Sequence, residues 1–412
     1  MVETVLYVGI DTSLGNHVVC AMEVDGRIVA RTTVPNHREG GEQLVAWLQS
    51  QAAPYARLAV GVEATSVYHA PLMEWLVQEP RLQPWQPTWY VLNPKVVAKF
   101  GETEVDRGKT DRADAQLIAD VLRFGRVVPW TPPDPRYAAL QVLTRHRRQV
   151  SRLITQEKNR ALAQLFCVWG QYAHTKEPFF SDVFGLASQA VLARYTPDTL
   201  AQTPLADLAA EIAAVGRNRL KAPEDIAQTL HRLAQRAFRL HPEERDARRQ
   251  SLVLHLDTIR ALERQQRELD TVIARDFQAF RQTLTTIPGI GPVYGAGLLA
   301  EIGPVERFTS ENALAKYAGL TWRPHQSGDF DADIRPLTRS GNVYLRHDFV
   351  EAAERVRVRD PHFKAFYAKK YREARHHAHK RALVLTARKL VGVVYGMLTR
   401  GQIYDARKLM PH

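Results

Sequence analysis

Three short runs rich in β-branched residues open the chain: TVLYVGID, HVVCAMEV and RIVARTTV. Gly15-Asn16 and Asp25-Gly26 separate them as turns, and the Asp-Gly pair predicts a two-residue hairpin. A helix over Glu42 to Gln51 follows, then a buried strand from Leu58 to Glu63. A helix over Ala70 to Val77 and a strand from Trp89 to Pro94 come next. TDRADAQLIADVLRFG then reads as a helix with Thr110 as N-cap and Gly125 closing it. Three antiparallel strands followed by α, β, α, β, α predict an α/β layout with helices on a mixed sheet.

The proline cluster VVPWTPPDP marks a stiff boundary. Beyond it the pattern becomes helical. Leu140, Leu143, Val150 and Ile154 keep heptad-like spacing, and a second stripe runs through Leu252, Leu256, Ile259, Leu262, Leu269, Ile273, Phe277 and Leu284. Two long helices around an insertion predict either an antiparallel hairpin or a coiled-coil arm that pairs with another subunit. Residues 171–223 are less periodic, with prolines between short helical pieces; helix returns from Pro223, and the insertion is placed around 171–235. The chain thus divides into residues 1–128, a helical arm over 136–284 and a mostly helical segment over 285–412. The last segment opens with Pro288-Gly289-Ile290-Gly291-Pro292 and a small-residue helix, which looks like one arm of a helix-hairpin-helix. There Gly289 and Gly291 would let backbone amides approach a phosphate.

Composition changes this picture through charge. The 412 residues carry a net +12, and hydrophobic and charged contents of 45% and 24% are those of an ordinary folded protein. From Arg355 onward, fifteen Lys or Arg face only Asp360, Glu373 and Asp405, so this tail holds the whole excess. Arg136 to Arg160 adds seven basic residues against Glu157. Such clustering is the footprint of a polyanion. Cys20 and Cys167 are the only thiols, which excludes a disulfide framework and suits a reducing compartment. No signal peptide is visible, and LVLTARKLVGVVYGML reads as too short and too charged to span a bilayer. A cytoplasmic protein with no membrane partner is expected.

Four carboxylates stand out. Asp11 ends the first strand, Glu63 ends the fourth, and Asp111 and Asp114 lie on one face of the helix that follows the last strand. Strand ends of an open α/β sheet are where ligands bind. Four acids meeting there would repel unless divalent cations joined them, and all-oxygen ligation suits Mg2+ or Mn2+. Each acid also has a plainer reading. Asp11 could serve a turn and Asp111 the helix dipole, and Glu104 and Asp106 are nearby decoys.

GIDTS, GVEATSVYH and KTDRADAQ together resemble the DEDD transposases of bacterial insertion sequences. PGIGPVYGAGLLAEIG, FTSENALAKYAGL, HQSG and the Gly-Asn of RSGN are similar to the second characteristic half of that family. The resemblance covers Tyr7 to Asp120 and Ile287 to Ala353. It implies a ribonuclease-H-like N-terminal domain, a coiled-coil arm and a C-terminal transposase domain. It makes Asp11, Glu63, Asp111 and Asp114 the metal quartet and Ser327 of HQSG a nucleophile that forms a phosphoserine link to DNA. It also implies a structured bridge RNA pairing with donor and target DNA, and a homo-dimer or homo-tetramer with a composite site.

Ser340 and Thr338 are rival hydroxyls in the same loop. The family commonly has Lys-x-Gly-Asn where this chain reads Arg339-Ser340-Gly341-Asn342, so Arg339 is expected to supply the positive charge. Asn342, Arg346, Lys369, Lys370 and Arg372 join Gly289, Gly291 and Arg339 as expected nucleic-acid contacts. The HHAH run at 376–379 lacks a Cys partner and is assigned no metal. Three rivals stand beside the recombinase: a water-using nuclease or junction resolvase, a phosphotransferase, and a non-enzymatic RNA-binding protein. The phosphotransferase lacks later glycine-rich phosphate loops and leaves the basic tail unexplained.

Overall fold

Val5–Thr12 (β1), Asn16–Met22 (β2) and Ile28–Pro35 (β3) form an antiparallel meander. The computed structural model describes residues 4–64, 67–103, 110–176, 179–217, 220–322, 326–327, 330–331, 337–338 and 340–409. The chain forms two compact units, Met1–Pro133 and Asp134–His412, parted within the proline cluster.

In the first unit Arg38–Ala52 (α1) leads to Arg57–Glu63 (β4), which pairs parallel with β1. His69–Val77 (α2) leads to Thr88–Leu92 (β5), parallel to β4. The result is a five-stranded mixed sheet in the order β3-β2-β1-β4-β5. Pro94–Gly101 (α3), absent from the sequence expectation, precedes Asp111–Phe124 (α4). Asn93 caps α3 by accepting from the Lys95 amide. At eight residues α3 is shorter than the stretch over which helical periodicity can be read.

Strand alternation sorts the side chains of β1 and β4 onto two faces. Leu6, Val8 and Ile10 pack with Leu58, Val60 and Val62 under α1 and α2. Gly9 and Gly61 therefore face the other way, toward α4. A Cβ on Gly9 would lie 2.1 Å from the Ala115 carbonyl oxygen, and one on Gly61 would lie 2.9 Å from the Leu122 methyls. Glycine is needed at position 9 because the helix backbone rests directly on the strand. Thr110 caps α4 by accepting from the Ala113 amide at 3.2 Å, and Gly125 ends it at φ +76°.

The second unit is built on Pro135–Trp169 (α5) and, after an insertion, Pro242–Phe277 (α10). The insertion holds Leu186–Arg194 (α6), Pro197–Gln202 (α7), Leu205–Val215 (α8) and Pro223–Arg236 (α9). The long helices run antiparallel against each other within one chain. Arg147 pairs with Asp270 at 2.6 Å, Lys158 with Glu263 at 2.8 Å and Glu157 with His255 at 2.7 Å. One end of the pair joins the insertion's core, through Leu165, Trp169, Leu252 and Leu256. The other end, through Leu140, Ile273 and Phe277, joins the core of the C-terminal helices.

Those helices are Pro292–Ile302 (α11), Glu311–Tyr317 (α12), Val343–Arg359 (α13), Pro361–Glu373 (α14) and Ala378–Arg400 (α15). Gln326–Ser327 (β6) pairs antiparallel with Phe330–Asp331 (β7) before α13. The reading of the late apolar stretch as too short for a bilayer needs correction. α15 runs 23 residues and, by length and composition, is long and apolar enough to cross a membrane. Its Ala387, Leu390, Val391, Val394 and Met397 instead pack into the C-terminal core. Cys20 and Cys167 are both free thiols.

Candidate functional site

Parallel pairing of β1 and β4 ends at Ile10 opposite Val62, so Asp11 and Glu63 are the next residues on neighbouring strands. By alternation both sit on the α4 face, two positions beyond Gly9 and Gly61. The first turn of α4 carries Asp111 and Asp114. The electrostatics register this meeting. Burial first, then the charges of Asp114, Asp111 and Glu63, push the Asp11 carboxyl from 3.8 up to about 6. Three acids acting on a fourth, half-buried one make an anionic edge that a cation would relieve. The α4 N-terminus contributes its own positive dipole end there.

Oxygen-only donors on two strand ends and one helix turn fit a hard divalent ion. Among the described residues, no three His, Cys, Asp or Glu side chains are gathered closely enough to ligate one ion as they stand. Glu104 and Asp106 lie outside the described residues.

The second unit holds the other expected site residues. Ser327 ends the two-residue strand β6, its backbone opposite Phe330. Thr338 is tied to Thr321, donating to its carbonyl at 2.9 Å, whereas Ser340 is exposed. Arg339 lies outside the described residues. Gly289, at φ +102°, comes so close to α13 that a Cβ would lie 2.8 Å from the Arg355 carbonyl oxygen. That close approach is an internal reason for glycine there. Gly291 caps α11 with open space around it.

Asn342 has a structural task the sequence does not reveal. Its Oδ1 accepts from the Tyr344 and Leu345 amides at 2.9 and 3.0 Å, capping α13. Its Nδ2 donates to Glu301 at 2.6 Å. Arg346 lies over Gly319. On α14 Lys369 is exposed, Lys370 pairs with Glu373 at 2.7 Å, and the Arg372 Nε donates to the Ala368 carbonyl at 3.4 Å.

Glu301 escaped the sequence reading altogether. It is 2% exposed and takes a bidentate pair from Arg145, at 2.7 and 2.9 Å. Gln141 donates to it as well, at 3.1 Å. The single acid in GAGLLAEIG was the available signal, since a charge in a small-residue helix needs a partner. The partner, 156 residues away, was not legible from spacing. Asp348 on α13 was also missed. Burial first, then Glu301's charge, push its carboxyl up to about 7.

Comparison with known proteins agrees with this division of motifs. A transposase family model, DEDD_Tnp_IS110, matches residues 8–168, and a model of the transposase IS116/IS110/IS902 family matches residues 281–368. The Insertion element IS116 uncharacterized 44.8 kDa protein of Streptomyces clavuligerus is 26% identical over 97% of this chain and 96% of its own. The pilin gene-inverting protein of Moraxella lacunata is 23% identical over 97% and 98%. The solved structure of Thermus thermophilus RuvC overlays 31% of this chain and 99% of its own, at 15% identity and a TM-score of 0.24, too loose to bear on the fold. Two family models that together span more than half of the chain, the first reaching from the sheet into α5 and the second covering the C-terminal motifs, decide the matter: this chain belongs to the IS116/IS110/IS902 family of transposases.

Proposed function

We propose that the protein is a DNA recombinase of an insertion sequence that cuts and exchanges strands through a phosphoserine intermediate. The observation that carries this reading is the convergence of Asp111, Asp114 and Glu63 on Asp11 at the end of β1. The strand order, with β2 antiparallel and β4 and β5 parallel to β1, supports a ribonuclease-H-like first unit. In this reading Asp11, Glu63, Asp111 and Asp114 hold Mg2+ or Mn2+. The bound ion would supply charge neutralisation at the scissile phosphate and a lowered pKa for the attacking hydroxyl.

Ser327 Oγ attacks phosphorus and forms a new P–O bond. The strand's own hydroxyl leaves with a proton, and Oγ gives up its proton to the site. In the second step a strand hydroxyl attacks the phosphoserine and Ser327 is released. Each step exchanges one phosphodiester for another, so no nucleotide triphosphate is consumed. The name of the Moraxella relative supports rejoining over hydrolysis, because inverting a gene requires that each cut strand be resealed.

The basic tail and the stretch from Arg136 to Arg160 supply the charge for donor DNA, target DNA and a bridge RNA. A guide that pairs with DNA leaves the protein to read backbone and shape. The active species in this account is a homo-dimer or homo-tetramer whose subunits share a composite site. The experiment is to sequence the nucleic acid that copurifies with the protein from cells carrying the insertion sequence. One discrete structured RNA is expected; random cellular RNA would remove the guide from the account.

A further inference from the structure

One helix face of α5 departs from the apolar pattern around it. Thr144, Arg147, Arg148, Ser151, Arg152 and Thr155 are each three or four residues from another member of the set, which places them in a single stripe. That stripe does not simply face solvent. It forms one wall of a cleft of about 430 Å3 whose other walls come from α11, with Tyr294 and Gly297, and α13, with His347, Asp348 and the carboxylate of Glu351.

The cleft's charges are unequally committed. Arg147 is paired with Asp270 at 2.6 Å. Arg148 lies 4.9 Å over the Tyr344 ring and donates to the Val343 carbonyl at 3.2 Å. Arg152 is exposed and has no ion-pair partner among the described residues. His347, by burial first and then by the charges of Arg148, Arg147 and Arg152, is pushed down to about 4 and stays neutral at physiological pH. Gly297 makes room for the Asp348 carboxyl, since a Cβ there would lie 2.7 Å from Oδ2.

We infer that this cleft binds a backbone phosphate of a nucleic-acid strand, with Arg148 and Arg152 as its charged contacts; the Ser151 and Thr155 hydroxyls beside them donate to the Arg147 and Ser151 carbonyls of their own helix. Planar guanidinium forks are the chemistry that recognises a phosphodiester without reading its base. The site lies within the second unit, between α5 of the arm and the C-terminal helices α11 and α13. The inference rests on the proposed function for the identity of the strand.

Asp348 gives the site a pH dependence. The groups that act on its carboxyl are Glu301 from α11, Arg147 and Arg148 from α5, and Glu351 from α13. Its carboxyl, raised to about 7, is neutral below that pH and anionic above it. An anion bound beside it therefore meets more repulsion as pH rises through 7.

The test measures binding of a 30-nucleotide single strand of DNA to the full chain as a function of salt. Arg152→Gln and Arg148→Gln are each expected to lower the slope of log K against log salt by about 0.7. Affinity should fall roughly fivefold at 0.1 M salt with each change. Arg260→Gln, on α10 and outside the cleft, should leave the slope at the wild-type value, and matched thermal melts confirm folding. Wild-type affinity should rise between pH 8 and pH 6, and Asp348→Asn should flatten that rise. A steep wild-type slope unchanged by both cleft variants overturns the cleft and leaves the proposed function standing. A wild-type chain that binds no strand overturns both.

Discussion

Asp11 and Glu63 stand side by side on adjacent parallel strands, each one residue past the Ile10–Val62 pair and both on the α4 face. Placing two acids at the same level of a sheet, with two more on the helix above, is costly without a cation. That relationship sets the first predictions.

Asp11 binds its proton more tightly in the folded chain than the ordinary 3.8, at about 6. Between those values the folded state holds more protons, so stability falls as pH rises from about 4 through 6. Asp11→Asn removes the repulsion. In metal-free protein the variant should be more stable than wild type by about 1 to 3 kcal/mol at pH 7.5 and nearly equal to it at pH 4. Thermal melts at the two pH values, in chelator, check this; equal melting at pH 7.5 would contradict the clustering.

Adding 10 mM Mg2+ at pH 7.5 should raise the melting temperature of wild type, because an ion that binds only the folded state stabilises it by mass action. Glu63→Gln or Asp114→Asn should lose most of that gain. A wild-type chain indifferent to Mg2+ and Mn2+ would remove the metal from the account.

Gly9→Ala should destabilise the chain by about 3 kcal/mol or more, since the new methyl would meet the α4 backbone 2.1 Å away. Because α4 carries Asp111 and Asp114, strand cleavage should be lost even where folded protein survives. Gly15→Ala, with nothing within 4 Å of the added carbon, is the control and should behave as wild type.

Glu301→Ala leaves Arg145 partly buried without its carboxylate and the Asn342 amide nitrogen with only its longer bond to the Tyr317 hydroxyl, at 3.3 Å. A loss of about 3 to 5 kcal/mol is expected. Hydrogen exchange at the Tyr344 and Leu345 amides, which Asn342 caps, should quicken in the variant. Unchanged protection there would show that Asn342 holds its place without Glu301.

The sheet and α4 were legible because their signals are local. Alternation in β1, the apolar run of β4, the Thr110 cap and Gly125 all act within a few residues. Asp11, Glu63, Asp111 and Asp114 could be paired on paper once strand ends and helix face were assigned. That the two stripes meet each other within one chain shows only in pairs such as Arg147–Asp270, because heptad spacing does not say which partner a stripe meets. Glu301 and its partners were hidden for the same reason, their contacts joining α5, α11 and the start of α13. For α15 only the length was underread, the stretch being part of a 23-residue helix, and composition does not reveal that its apolar face packs into the core.

The most direct measurement concerns Ser327. The protein with its copurified RNA is incubated with Mg2+ and supercoiled DNA carrying the insertion-sequence ends, then denatured and run on a gel. A covalent protein–DNA species is predicted for wild type and is absent from Ser327→Ala and from Glu63→Gln. An Ser327→Ala chain that still cuts and rejoins DNA as wild type does would contradict the account and favour a water-using nuclease on the same carboxylate edge.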